Sequence, residues 1–171
     1  MGKKKKIEIA SPKDEDIYAP QTKHLPYKIK LKCKNLKQKE YTRLIENEEI
    51  EMVFAKGKAG CGKTYVAVAK ALELLQKNEK YEKIYLITSA VQSEENLGLL
   101  PGSVDEKLMP SMMSFLIVID ELIGKSTREK LFEQGYIEFM PISYLRGVNL
   151  KSCIVIGDEL QNLTIRGMKT L

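Results

Sequence analysis

The sequence predicts an α/β fold: a three-layer arrangement with a parallel sheet between helices. Three observations predict it. Short apolar segments of strand length alternate with longer segments of helical periodicity from about residue 35 onward. A glycine-rich loop at 57–62 joins an apolar strand-like segment to an apolar helix-like one. A third apolar segment, residues 152–157, runs directly into Asp158 and Glu159.

The elements follow in order. Residues 1–26 lack apolar periodicity and carry Pro12, Pro20 and Pro26, so they read as a mobile basic arm ahead of one domain over 27–171. Residues 35–49 read as a helix with Leu36, Tyr41, Leu44 and Ile45 on one face. Residues 50–56 read as a strand and 57–62 as a loop. Residues 63–77 form a helix whose Val66, Ala67, Val68, Ala69, Ala71, Leu72, Leu74 and Leu75 cover most of its surface, so it is expected to be largely buried beside the sheet. Residues 83–88 read as a second strand. Ser103 with Glu106 and Ser126 with Glu129 fit capping boxes for two further helices, the first bent at Pro110 and the second ending at Gly135. Residues 136–140 and 152–157 read as strands, and a last helix begins near Thr164. Three or four strands are countable, against about five or six in an ordinary sheet. With Leu171 falling inside the last helix, the domain is expected to be incomplete on its C-terminal side.

Composition narrows the function classes. The net charge of +5 is uneven: residues 1–40 hold 12 Lys and 5 acids, and the rest holds 16 basic and 18 acidic side chains. Lys3, Lys4, Lys5 and Lys6 open the arm. Such a run can contact phosphate backbones or simply remain a solvated tail. No apolar stretch follows it, so no secretory signal is expected, and no segment reaches the length of a membrane span. Cys33, Cys61 and Cys153 have no paired spacing, and His24 is the only histidine, so zinc sites and Ser-His-Asp triads lack material. A reducing, cytoplasmic setting fits best.

Gly57, Lys58, Ala59, Gly60, Cys61, Gly62, Lys63 and Thr64 fit G-x-x-x-x-G-K-[ST], the P-loop, with Tyr65 next along the helix. The glycines let successive backbone N–H groups turn inward around a phosphate. The helix opening at Lys63 adds the positive end of its dipole. Lys63 is placed to reach the β- and γ-phosphates and Thr64 to ligate Mg²⁺. In Ile154-Val155-Ile156-Gly157-Asp158-Glu159, the apolar strand ends in two acids. Asp158 is expected to hold Mg²⁺ through water and Glu159 to polarise the attacking water.

With these motifs placed, the chain resembles the PhoH-like ATPases from about Asn35 to Leu171. Glu94 to Gly102 (EENLGLLPG), Pro141 to Gly147 (PISYLRG), Asp158 to Asn162 (DELQN) and Met168-Lys169 carry the likeness beyond the P-loop. The resemblance implies an incomplete P-loop NTPase core of the RecA/helicase-like kind. It implies Mg²⁺-dependent ATP hydrolysis, with RNA or another single-stranded nucleic acid as partner, and a homo-oligomer stays open. It also places Gln38, beside Tyr41, where helicase-like proteins read the adenine edge, and Gln161 where the γ-phosphate is sensed. Arg146 either contacts phosphate or nucleic acid or pairs with an acid in a turn. Gln38 and Gln161 equally fit an exposed helical amide and a capping amide. One departure stands out: Thr88-Ser89-Ala90 replaces the family's Thr-Arg-Pro. Two other functions stay open, a nucleotide-binding module without turnover and a small P-loop phosphotransferase.

Overall fold

The apolar helix over 63–77 forms the centre of the described fold. The structure is a computed structural model that describes residues 25–88, 104–140, 142–145, 148, 150–163 and 165–169. The Lys3–Lys6 run, the Glu94–Gly102 stretch, Ser103 and Arg146 therefore lie outside the described residues. Helices are α1 (Leu36–Glu46), α2 (Lys63–Lys77), α3 (Val104–Ile123), α4 (Lys125–Glu133) and α5 (Ile165–Met168). Strands are β1 (Lys83–Thr88), β2 (Ile137–Phe139) and β3 (Cys153–Asp158). Short 3₁₀ turns occupy Ile142–Leu145 and Leu160–Asn162.

The three strands form one parallel sheet in the order β2-β1-β3. Ile84 stands opposite both Ile137 and Ile154, and Leu86 opposite Phe139 and Ile156. These six side chains share one face, because side chains alternate along a strand. They meet Val68, Leu72 and Leu75 of α2 and Phe115 and Ile119 of α3 in the main core. Leu25, at the start of the described chain, belongs to the same core. On the opposite face, Ile87 is buried by Ile142 and Leu145 of the 3₁₀ turn. Val155 on that face stays 38% exposed, and among the described residues no α-helix of the core cluster covers it.

α2 and β1 span the residues their periodicity predicts. α4 ends as glycine chemistry dictates: Gly135 takes φ 71°, its N–H donates to Phe132 O at 3.0 Å, and Tyr136 N–H donates to Leu131 O at 2.9 Å. Three expectations need correcting. α4 starts two residues earlier than the Ser126 box predicts, because Gly124 is the N-cap and its carbonyl already accepts from Arg128 N at 3.0 Å. α1 does not bury Leu36 or Leu44, which are 79% and 39% exposed, and none of its side chains is fully buried. Residues 50–56 carry a strand's apolar content but form no strand. They have no ladder partner among the described residues, and Met52 and Phe54 are 60% and 74% exposed. A strand exists only through the neighbour that takes its backbone groups, which composition cannot supply.

Candidate functional site: the 57–64 loop and the end of strand β3

The loop before α2 is shaped by its glycines. Gly60 and Gly62 adopt φ 73° and φ 84°, the left-handed region that a side chain resists. Gly62 is also the N-cap of α2, so the first free N–H groups of an apolar, well-anchored helix open into this loop. Lys63 folds its ammonium back over the loop, donating to Gly57 O at 3.0 Å and Lys58 O at 3.1 Å. Lys58, Ala59, Gly60 and Cys61 are exposed, while Gly62, Lys63, Thr64 and Tyr65 are half-buried.

Thr64, one residue into α2, meets the far end of the sheet. Its hydroxyl donates to Asp158 Oδ2 at 3.1 Å. The parallel register brings Asp158 there by ending β3 level with Thr88 of β1, beside the N-terminus of α2. The chain then turns sharply. Glu159 takes left-handed angles, φ 53° and ψ 29°, unusual for a residue with a side chain, and its N–H donates to Asp158 Oδ1 at 3.0 Å. The Gln161 amide holds the Glu159 carboxylate. A Cβ on Gly157, just before the turn, would sit 2.6 Å from Leu160 Cδ1, so a larger residue there would displace the Leu160 side chain.

α1 supplies the third side. Asn35 caps it by accepting from Gln38 N at 2.9 Å, which orients the first turn. Gln38 then reaches the loop, its Nε2 donating to Cys61 O at 3.0 Å while its Oε1 accepts from Lys34 N at 2.6 Å. Tyr41, one turn on, has its phenol pushed above the ordinary range, first by burial and then by the negative charge of Asp158. Sequence reasoning placed Tyr41 near Gln38 but missed its closeness to Asp158. The i, i+3 spacing of the two on one helix face was the available signal.

The structure therefore gathers Gln38, the 57–62 loop, Lys63, Thr64, Asp158, Glu159 and Gln161 at one end of the sheet. Among the described residues, no cluster of three or more His, Cys, Asp or Glu could hold a metal ion by itself. The Thr64 hydroxyl and Asp158 carboxylate offer two adjacent hard oxygens, the donor set that suits Mg²⁺, which keeps several waters and takes few protein ligands.

A family profile described as PhoH-like protein matches residues 30–171. The chain belongs to this family. It is 38% identical over 170 residues to a PhoH-like protein of Bacillus subtilis (strain 168), covering 99% of this chain and 51% of the relative. It is 37% identical over 139 residues to a PhoH-like protein of Mycobacterium tuberculosis (strain ATCC 25618 / H37Rv), covering 81% and 39%. It is 36% identical over 139 residues to Protein PhoH of Escherichia coli (strain K12), covering 80% and 38%. This PhoH-like chain thus spans about half or less of the length of these curated relatives. Its described helices include none long and apolar enough to cross a membrane.

Proposed function

We propose that this PhoH-like chain binds ATP with Mg²⁺ and hydrolyses it. The single observation that supports this best is the 3.1 Å contact between Thr64 and Asp158, which stand 94 positions apart in sequence and meet at the mouth of the Lys63 loop. Inward N–H groups of 57–64 would bind the phosphates, and the Lys63 ammonium would exchange the Gly57 and Lys58 carbonyls for phosphate oxygens. Thr64 and Asp158 would hold Mg²⁺, which supplies charge neutralisation at the phosphates. Glu159, with its carboxylate oriented by Gln161, would polarise the attacking water. Gln38, whose Nε2 donates to Cys61 O, would read the adenine edge, a role that the family resemblance supplies. RNA enters the reading through the family resemblance, as the macromolecule such turnover would act on.

Nucleotide binding and turnover test this separately. Lys63→Ala should abolish ATP binding measured by calorimetry, while Glu159→Gln should keep binding and stop phosphate release. Unchanged ATP affinity in Lys63→Ala would remove the loop from the account. Binding without any turnover in the parent would leave a nucleotide-binding module.

A further inference from the structure

Residues 27–34 read Tyr-Lys-Ile-Lys-Leu-Lys-Cys-Lys. Burial follows the same period of two: Tyr27, Ile29, Leu31 and Cys33 are half-buried, and Lys28, Lys30, Lys32 and Lys34 are exposed. Such alternation is the mark of an extended chain lying on a surface. The inward side is anchored. The Tyr27 hydroxyl donates to Leu72 O at 2.9 Å, the Gln76 amide donates to Leu25 O at 3.1 Å and to Tyr27 O, and Ile29 packs against the main core. The four ammonium groups thus stand on a fixed edge. In an extended chain, alternate residues lie about 6.6 Å apart.

None of the ion pairs among the described residues engages these four lysines. Lys30 borders a hollow that also holds Glu46 and Glu73, but both carboxylates are already paired with Lys70. Lys37 and Lys39, exposed on α1, continue the positive surface.

We propose that Lys28, Lys30, Lys32 and Lys34 form a rail for the phosphodiester backbone of a single-stranded nucleic acid. The row is one residue wide. Such a row of cations can track one phosphodiester backbone, whose charges repeat along a single line. A membrane surface would instead be met by apolar side chains pointing outward beside the charges, whereas those of this segment point inward. The contact is to the backbone and carries no base sequence. The rail ends beside the nucleotide loop: Lys34 N–H donates to Gln38 Oε1, and Gln38 Nε2 holds Cys61 O. A strand on the rail therefore lies one side chain away from the phosphate cradle. The inference names a surface for the nucleic-acid part of the proposed function and does not depend on ATP turnover.

The test is fluorescence anisotropy of labelled oligouridylate with the full chain, without nucleotide, across a salt series. The parent is compared with a Lys28, Lys30, Lys32, Lys34→Gln variant and with a Lys3, Lys4, Lys5, Lys6→Gln variant that removes equal charge from the arm. The rail variant should bind more than about tenfold more weakly at low salt. Its slope of log affinity against log salt should be shallower by about 3, from four contacts of ~0.7 each. The arm variant should change that slope by less than about one unit. Circular dichroism should show both variants folded, because exposed lysines carry little stability. Parent-like binding by the rail variant, or an equal loss in the arm variant, overturns the proposal. So does a parent that binds phosphatidylserine vesicles but not the oligonucleotide.

Discussion

The Thr64 hydroxyl donates to Asp158 Oδ2 at 3.1 Å, joining the first turn of α2 to the last residue of β3. If this pair holds Mg²⁺, Asp158→Asn keeps the shape and a hydrogen-bonding oxygen but removes the charge. The Mg²⁺ concentration for half-maximal ATP binding should rise about 10–100-fold, the usual cost of altering a group that holds a metal through water. Magnesium titration followed with a fluorescent ATP analogue measures it. An unchanged midpoint would mean that the carboxylate faces no metal.

Gly60 and Gly62 separate backbone strain from crowding in the loop. Both take left-handed angles, but a Cβ on Gly60 meets nothing within 4 Å, whereas one on Gly62 lies 3.0 Å from Gln38 Nε2. Gly60→Ala should cost about 1–2 kcal/mol from the backbone conformation alone. Gly62→Ala should cost that and also displace Gln38, so its ATP affinity should fall further. Urea unfolding and calorimetry on the two variants decide this. Equal ATP affinities would show that the Gln38 contact with the loop is incidental.

Lys70 and Glu73 predict a pH dependence. Burial opposes ionisation of Glu73, but hydrogen bonds from Lys70 and Lys77 outweigh it and hold the carboxyl below its usual range. Burial likewise works against the Lys70 charge, yet Glu46 and Glu73 raise its pKa above the ordinary value. A depressed carboxyl stabilises the fold above its unfolded pKa, about 4.3 for Glu, and loses that contribution as pH falls through the folded value. A raised lysine contributes below its unfolded pKa, about 10.4, and is lost as pH rises through the folded value. The contribution of this pair should therefore be flat between these limits. Glu73→Gln should lower the melting temperature at neutral pH and make the acid limb shallower, as followed by circular dichroism from pH 7 to pH 2. An acid limb identical to the parent's would exclude Glu73 from it.

Local chemistry carried much of this fold. α2 and β1 were legible because their apolar periodicity is dense, and the end of α4 because Gly135 permits the angle that stops a helix. The glycine loop at 57–62 was legible because few residue types tolerate the angles that Gly60 and Gly62 adopt. Segment 50–56 misled for the opposite reason, since its apolar content does not specify a partner. The lysine row at 28–34 was printed in the sequence as a period of two, but four exposed charges become a surface only when the intervening side chains are anchored on α2.

The sequence by itself determined the loop–helix unit around Lys63 and the acidic end of β3, because both rest on backbone angles and side-chain periodicity within a few residues. Only the tertiary structure decided that Thr64 faces Asp158, that Gln38 rests on the Cys61 carbonyl, and that α1 lies on polar contacts with no fully buried side chain. Those contacts join residues tens of positions apart. They depend on the parallel register of β1 with β3 and on how α1 seats on α2, which are set by packing across the whole domain rather than by any local pattern.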